Sequence, residues 1–399
     1  MDFDYKESTI SGVCSVVTDG SHFSPKSVDE GCYMVSVKDF TEYGFDFTGC
    51  RKISEKDYAD LERAGCVPQY GDILVGKDGA RYFEDIIIYR QPEKPALLSS
   101  IAILRCKEDE MLPEYLYYIM KTPSFRKDVK DNYGSGSAIP RIILKDFKRM
   151  PVRYPPLDIQ RKIVSVLSAI DEKIQTNRKI NDNLQQQARA LLVQWMSENE
   201  GNYEVCPLSD VAETNPDTYS PKDAWEYVNY LDTSSITDGI ISEVQHIDPS
   251  TEKLPSRARR IISANDVVFS TVRPNQRHFG IICEPWSNML ASTGFAVVRS
   301  KHPYVSNELL YLCLTENSFV EKMQQLAEQS TSTFPSIKPS DLGTCEIPCP
   351  INQCLSDVLK SMFVCIASNQ RENGSLAALR DTLLPKLMSG EIDVSDIQL

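Results

Sequence analysis

The chain has 399 residues, 41% of them hydrophobic, which is enough for two or more domains with cores of their own. A formal net charge of −13 argues against a uniformly basic protein that coats nucleic acid, so any such surface must be local or come partly from a partner. No apolar run approaches the roughly eighteen residues of a membrane span, and the first residues are too acidic for a signal peptide. We therefore expect a soluble, cytoplasmic protein without membrane association.

The cysteines do not form a metal or disulfide pattern. Twelve cysteines are scattered singly, only four histidines are present, and the nearest group, Cys345, Cys349 and Cys354, contains no Cys-x-x-Cys pair. We expect free thiols in a reducing compartment and no metal site.

The first half opens with a short element over 10–13 and continues with irregular strands rich in β-branched and aromatic residues. A helix follows over Pro113–Lys121, with an apolar face supplied by its tyrosine, leucine and isoleucine residues. The predicted strands are Tyr33–Val37, Ile73–Val75, Ile86–Tyr89 and Ile101–Leu104.

Two polar segments of this half carry side chains suited to DNA. One follows the strand over 73–75, and the other is a Gly-Ser loop over 133–138 that precedes the densest basic run in the chain. Backbone N–H groups of such a loop can approach phosphates, and nearby arginine or lysine can reach phosphate or a guanine edge. A solvated charged surface or a contact with a protein partner would require the same residue types. The candidate DNA contacts are Lys77, Arg81, Ser135, Ser137, Arg141 and Lys145, with Lys148, Arg149 and Arg153 as weaker candidates.

A proline-containing connector over 151–156 ends this domain, because proline cannot continue a strand ladder or a helix interior. The following stretch has apolar residues at alternating intervals of four and three, the pattern of a helix that packs along another helix. Its length is roughly 50 Å at about 1.5 Å per residue. The contact positions are Ile163, Leu167, Ile170, Ile174, Asn177, Asn181, Leu184, Ala188, Leu191 and Trp195.

The second half repeats the first. Asp72 recurs as Asp266 and Arg105 as Arg299, both 194 residues later, and the helix over 113–121 recurs over Asn307–Leu314. Many matches at nearly constant spacing indicate a duplication.

The candidate contacts of the second half lie in the matching segments. Arginine, asparagine and glutamine are suited to bidentate contacts with guanine and adenine edges. The two halves differ in these loops although their frames match, as expected for readers of different half-sites, although neutral drift would look the same. The candidates are Arg273, Asn275, Gln276, Arg277, Ser332 and Thr333, and a basic run at Arg257, Arg259 and Arg260 is suited to phosphate contacts.

A second helix carries the same seven-residue pattern 192 residues after the first, and both asparagines fall on asparagines, Asn369 and Asn373. If the helices are antiparallel, Asn177 faces the level of Asn373 and Asn181 that of Asn369, and buried asparagine pairs would fix the register. A solvent-exposed edge is the alternative for these residues. We expect Pro385 to kink or end this helix.

The predicted fold is therefore α+β. Two similar domains are separated by two long antiparallel helices that form a coiled coil, with an approximate two-fold internal repeat. The predicted boundaries are 1–156 and 200–350 for the domains, and 157–199 and 351–399 for the helices.

No catalytic constellation is evident. The chain has no Gly-rich phosphate loop that ends in Lys-Ser or Lys-Thr. The sequence Tyr154-Pro155-Pro156-Leu157 lacks the Asp or Asn with which an amino-methyltransferase holds its target amine. Asp248, Glu252 and Lys253 have the composition of a nuclease cluster without its strand setting. We expect a protein that is not an enzyme.

Two motifs resemble the specificity (S) subunits of type I restriction–modification systems. The sequence Tyr154-Pro155-Pro156-Leu157-Asp158-Ile159-Gln160-Arg161-Lys162-Ile163 is similar to the central segment of that family, and Leu383–Ile392 is similar to its C-terminal segment. The second connector, 349–353, keeps only part of the pattern, so the start of the second helix is the least defined boundary. The resemblance covers the full length.

The resemblance implies two target-recognition domains that each bind one half of a split double-stranded DNA target, with helices that set the gap. It also implies that two modification (M) subunits dock along the helices with S-adenosylmethionine, and that restriction (R) subunits add ATP-driven chemistry. The chain itself would hold no cofactor. Two alternatives are a coiled-coil adaptor whose domains bind proteins, and a divergent single-chain DNA methyltransferase.

Overall fold

The computed structural model describes residues 5–134, 140–330, 334–395 and 397. The chain forms two compact units: the first comprises 1–173 and 375–399, and the second comprises 174–374. Both boundaries lie inside long helices, because each half of a helix packs on the domain beside it.

The first unit combines short strands with helices. Its strands are β1 Lys6–Thr9, β2 Cys14–Asp19, β3 Cys32–Val35, β4 Lys52–Ile53, β5 Ile73–Gly76, β6 Ile86–Ile88, β7 Ala96–Leu97, β8 Ile101–Cys106 and β9 Pro151–Tyr154. Its helices are α1 Ile10–Val13, α2 Glu55–Arg63, α3 Pro113–Lys121, α4 Pro123–Asn132, α5 Leu144–Arg149 and the start of α6, Leu157–Glu198.

The second unit repeats much of this order, with additional short strands and without a helix that corresponds to α2. Its strands are β10 Glu204–Pro207, β11 Ala212–Thr214, β12 Val228–Leu231, β13 Ile236–Thr237, β14 Ile240–Ile241, β15 Gln245–Ile247, β16 Ala258–Ile261, β17 Asp266–Ser270, β18 Phe279–Ile282, β19 Met289–Ser292, β20 Phe295–Ser300 and β21 Glu346–Cys349. Its helices are α7 Leu208–Val211, α8 Asn307–Leu314, α9 Asn317–Glu328, α10 Pro339–Gly343 and most of α11, Cys354–Ser389.

The predicted duplication is present in the sheet topology. The first unit has a four-stranded sheet in the order β2-β8-β5-β6, and the second has the matching order β11-β20-β17-β18. In each unit the last strand of the domain pairs antiparallel with its first, β9 with β1 and β21 with β10. A parallel pair also recurs, β3 with β7 and β12 with β19. The α+β repeat predicted from the sequence is confirmed.

The repeated aspartate and arginine form the same buried ion pair in both units. Arg105 donates through Nε and Nη2 to the two carboxylate oxygens of Asp72, at 2.8 Å each. Arg299 does the same to Asp266, at 2.7 and 2.8 Å. Asp72 is 1% exposed and Asp266 is fully buried, so each carboxylate depends on its guanidinium for charge compensation.

The helix bounds predicted for α3 and α8 agree with the structure. The strand predicted over 33–37 is shorter, because Ser36 and Asp39 form a capping box that begins a 3-10 turn at Val37. We expected Pro385 to kink or end helix α11; the helix continues through Pro385 to Ser389, so the proline does not end it, and the kink stays a prediction. The adjacent Leu384 and Leu387 are buried in the core of the first unit, and this packing offsets the backbone hydrogen bond that proline cannot make.

The two long helices pack against each other within each unit. In the first unit Ile163 and Leu167 of α6 share a core with Leu384 and Leu387 of α11. In the second unit Ala188 lies in one core with Leu355, Leu359 and Ile366. Seven of the ten predicted contact positions of α6 are buried, and the other three, Leu184, Leu191 and Trp195, are half-buried. The seven-residue pattern is therefore a helix–helix contact.

None of the helices that the structure describes is long and apolar enough to span a bilayer. Over the same residues, no three His, Cys, Asp or Glu side chains are arranged to hold a metal ion.

Candidate nucleic-acid interface

In the first unit, two loops that are far apart in sequence lie side by side. The loop after β5 meets the segment that follows the Gly-Ser loop: the Gly79 N–H donates to the Pro140 carbonyl (3.0 Å), and the Ile142 N–H donates to the Lys77 carbonyl (2.9 Å). An isolated antiparallel bridge joins Asp78 to Arg141 between these bonds. The segments that carry the candidates Arg81 and Arg141 thus form one surface.

The second unit builds the same loop pair with the same backbone bonds. The Arg273 N–H donates to the Pro335 carbonyl (2.9 Å), and the Ile337 N–H donates to the Thr271 carbonyl (2.9 Å). A bridge joins Val272 to Ser336. Sequence reasoning identified each segment separately but did not place them together.

Arg273 and Arg277 hold strained backbone conformations. Their φ angles are 47° and 57°, in the left-handed region, and they flank a 3-10 turn over Pro274–Gln276. By backbone hydrogen bonding Arg273 occupies the place of Gly79, whose φ is 95°. A non-glycine residue in this region costs about 1–2 kcal/mol, and such strain clusters at functional sites. The backbone of Arg273 is therefore strained, whereas Gly79 adopts the same region in the first unit without strain.

The side chains of these arginines are held by aromatic and polar neighbours. The guanidinium of Arg273 lies 4.9 Å from the ring centroid of Phe334. Arg277 donates through Nε to Asp238 (2.6 Å) and through Nη1 to Asn317 (3.0 Å), which fixes it against helix α9. Arg273 is therefore the better placed of the two to reach a ligand, whereas Arg277 shapes the turn.

A groove of about 350 Å³, lined mostly by residues with polar side chains, lies between this turn and helix α9. Asn275 and Gln276 are exposed beside it, and the Asn275 N–H donates to the Gln324 side chain (3.3 Å). Amide side chains on its walls are suited to base edges, whereas Glu321 and Glu328 would repel phosphates. The side chains of this groove are therefore chemically better suited to base edges than to phosphates.

The first unit presents a more basic surface. Arg81 is 75% exposed and pairs with Asp85 (2.7 Å), and this hydrogen bond raises the pKa of the arginine. Arg141 and Lys145 are exposed. The weaker candidates Lys148, Arg149 and Arg153 are also exposed; Arg149 pairs with Asp146 (2.9 Å), and Arg153 lies 4.1 Å from the ring centroid of Tyr5.

Lys77 is not at the surface, contrary to its selection as a DNA contact. Only 6% of it is exposed, and its ammonium lies 3.4 Å from Asp19 Oδ2 and 3.6 Å from Asp78 Oδ1. The carboxylates of Asp19 and Asp78 stabilise the buried charge, so Lys77 has a structural role beneath the loop after β5. The sequence shows that Lys77 is charged but not that it is buried.

The candidates Ser135, Ser137, Ser332 and Thr333 lie outside the residues that the structure describes. The basic run at 257–260 belongs to strand β16 and its start. Arg260 is partly buried, and burial lowers its pKa. Arg257 is exposed.

The four asparagines on the long helices meet in the pairs that an antiparallel arrangement predicts. Asn177 donates to Asn373 Oδ1 (2.9 Å) and to Glu372 (2.7 Å), and Asn369 donates to Asn181 Oδ1 (2.8 Å). Asn177 is fully buried and Asn181 is 6% exposed. Because only a polar partner satisfies a buried amide, a shift of one helix along the other would leave these groups unpaired.

Sequence reasoning missed a polar network that ties the first domain to both helices. Asp171 of α6 accepts from Tyr118 of α3 (2.7 Å) and from Arg380 of α11 (2.9 Å). Arg380 occupies one of the matched contact positions, and a charged residue there was the available signal that a partner exists. Lys121 donates to the hydroxyl of Tyr117 near this network, and burial lowers the pKa of Lys121 to about 8.

Fold and site together define a class of protein: a duplicated domain that presents the same loop pair twice with different side chains, connected through paired helices. Residues 4–186 match the family described as type I restriction modification DNA specificity domain. The type I restriction enzyme MjaIX specificity subunit of Methanocaldococcus jannaschii is 24% identical over 319 residues, which cover 73% of this chain and 71% of the relative. The HindI specificity subunit of Haemophilus influenzae is 22% identical over 403 residues and covers 81% and 86%.

A solved structure has the same fold. The type I restriction–modification S subunit from M. genitalium superposes with a TM-score of 0.53 at 16% identity, over 97% of this chain and 96% of that one. Over most of its length the chain is therefore similar to the specificity subunits of type I restriction–modification systems. The adaptor and single-chain methyltransferase alternatives are not favoured by these relatives.

Proposed function

We propose that the chain is a non-catalytic, cytoplasmic subunit that reads a bipartite double-stranded DNA target, with one half-site for each domain. The observation that supports this most strongly is the loop pair described above. The same backbone hydrogen bonds hold it in both units, while Gly79 in one is replaced by Arg273 in the other. A constant frame with variable side chains is what two readers of different sequences require.

The second domain would read bases through Arg273, Asn275 and Gln276. An arginine fork suits the O6 and N7 atoms of guanine, and an amide suits the N6 and N7 atoms of adenine. In the first domain, Arg81, Arg141 and Lys145 would contact phosphates or guanine. Arg257 would add a phosphate contact that positions the second domain without specifying a base.

The paired helices would fix the gap between the half-sites, with the asparagine pairs as the register. Half-sites read from one side of B-DNA lie about one turn apart, or roughly 34 Å, or multiples of it. A register shift of one helical turn would change the gap, so the buried amides would serve specificity as well as stability.

The chemistry would belong to the partners. Two modification subunits would dock along the helices and bring S-adenosylmethionine, and restriction subunits would bring ATP-driven translocation and cleavage, while the chain itself holds no cofactor. A net charge of −13 is consistent with a complex in which partners supply much of the cationic DNA-binding surface.

Methylome mapping tests this proposal most directly. Cells that carry the chain and its modification subunit should show methylation at one split sequence, and the map gives both half-sites and the gap. Arg273→Ala should relax one half-site and Arg141→Ala the other, with assembly unchanged in both. Unchanged maps for both variants would reject these contacts. Methyl transfer from labelled S-adenosylmethionine by the isolated chain would reject the non-catalytic assignment.

A further inference from the structure

A polar pocket of about 330 Å³ opens in the second unit, away from the loop pair. It lies between the start of helix α8 and the segment of helix α11 over 360–371. The residues that matter for its chemistry are Cys283, Glu284, Glu308, Lys360, Phe363 and Arg371.

Glu308 is an unpaired acid in the wall of this pocket. Only 4% of the residue is exposed, and its Oε2 atom is buried without a hydrogen-bond partner. Desolvation of an unpaired carboxylate is expensive, and proteins normally compensate it with a cation or a donor. At the mouth, Arg371 lies 2.9 Å from Glu284, and both side chains of that pair are more than half exposed.

The first unit shows what normally occupies this position. There the equivalent acid, Glu114 in the first turn of α3, forms an ion pair with Arg90. Strand pairing shows which residue of the second unit corresponds to Arg90. Ile73 lies opposite Ile88, and the repeat of Ile73, Val267, lies opposite Ile281.

The residue two positions after each partner is Arg90 in the first unit and Cys283 in the second. The second copy has therefore lost both the guanidinium and its volume. Burial, and after it the negative charge of Glu308, raise the pKa of the Cys283 thiol to about 12.

We propose that this pocket binds the guanidinium of an arginine side chain from a modification subunit, in the place that Arg90 fills within the first unit. The proposal rests on the function proposed above and names one contact of that docking. A planar, weakly hydrated guanidinium suits a pocket with an acid on one wall and Phe363 on another better than an ammonium does. The same helix also exposes apolar side chains beside the pocket, Val358 at 47% and Val364 at 67%, as expected of a surface that a partner protein covers.

Calorimetric titration of the full chain with methylguanidinium tests the pocket itself. We expect saturable binding at millimolar concentrations, at least tenfold weaker binding by Glu308→Gln, and no binding by Cys283→Arg, which restores the arginine of the first unit. Cys283→Arg should also raise the melting temperature. Arg90→Cys is the matched control and should add a second binding site. Absence of binding by the wild-type chain, or equal binding of methylammonium at the same ionic strength, would overturn the proposal.

Assembly with the modification subunit tests the partner. Glu308→Gln should lower the affinity for that subunit at least tenfold, while the complex formed at saturating concentrations keeps its DNA sequence preference. Wild-type affinity in this variant would overturn the proposed contact. A wild-type complex without sequence preference would overturn the proposed function instead and would leave the titration result standing.

Discussion

Arg273 allows stability and DNA reading to be separated, because its backbone strain and its side chain act in opposite directions. Its φ of 47° costs about 1–2 kcal/mol for a residue with a Cβ atom, and glycine removes that cost. Glycine in turn loses about 0.4–1 kcal/mol through the greater freedom of the unfolded chain. Arg273→Gly and Arg273→Ala both lose the contact with Phe334, so their difference isolates the backbone.

The Arg273→Gly variant should therefore be more stable than Arg273→Ala by about 0.5–1 kcal/mol, or roughly 2–3 °C in Tm for a unit of this size. Both variants should bind the target more weakly by about 1–3 kcal/mol, a loss of roughly 5- to 150-fold that is confined to one half-site. Thermal unfolding and a gel-shift with the assembled complex measure the two effects.

Two results would refute this reasoning. If Arg273→Ala is as stable as Arg273→Gly, the backbone carries no strain. If Arg273→Gly keeps full sequence-specific binding, the side chain does not read DNA. Gly79→Ala in the first unit is the reverse control and should cost about 1 kcal/mol.

Three further predictions concern the framework. Asn177→Leu should destabilise the helix pair by about 0.5–1.5 kcal/mol because it removes the hydrogen bonds that this buried amide donates to half-buried Asn373 and exposed Glu372. The double change with Asn373→Leu should recover stability and loosen the register, as measured by unfolding and by disulfide mapping between the helices. Arg299→Ala should cost about 3–5 kcal/mol in chemical denaturation because the carboxylate of Asp266 stays buried without its partner. The pKa of Lys121 is about 8 in the folded protein and higher in the unfolded chain, so the unfolded state binds more protons between these two values. The free energy of unfolding should therefore rise from about pH 8 to about pH 10, and Lys121→Met should flatten this rise in melting curves recorded at several pH values.

Each of these predictions has an outcome that would contradict it. Equal cost for the single and double asparagine changes would show that the pair does not interact. The matched change Arg105→Ala should cost a similar amount in the first unit, so a loss below about 1 kcal/mol in both would show that the ion pairs are dispensable. A pH dependence that is unchanged in the Lys121 variant would assign it to other groups.

The fold was largely readable from the sequence wherever a periodic pattern ran long enough. The contact positions from Ile163 to Trp195 and the recurrence of Asp72 and Arg105 at one spacing identified the helices and the duplication. The second sheet of each unit was not readable from the sequence, because its parallel pair, β3 with β7 or β12 with β19, joins short strands about sixty residues apart that leave little local signal.

The candidate site was predicted in its parts and not in its assembly. Residue type pointed to Arg273 and Arg141, but nothing in the sequence shows that Arg273 bonds to the segment at Pro335, or that Arg277 is held by Asp238. Lys77 shows the main limit: a lysine after a strand looks exposed until two distant acids are found around it.

The first unit consists of two segments that are distant in sequence, and this affects its folding during synthesis on the ribosome. Residues near the end of the chain complete this unit: Val394 lies in its core, and Lys162 donates to the carbonyl of Ser395. The second unit is continuous and can close as soon as it has emerged, whereas the earlier-made unit must wait for segment 375–399 to be translated. The first unit is thus synthesised first but completes its folding last. A premature stop codon near the end of the gene should therefore destabilise the N-terminal domain.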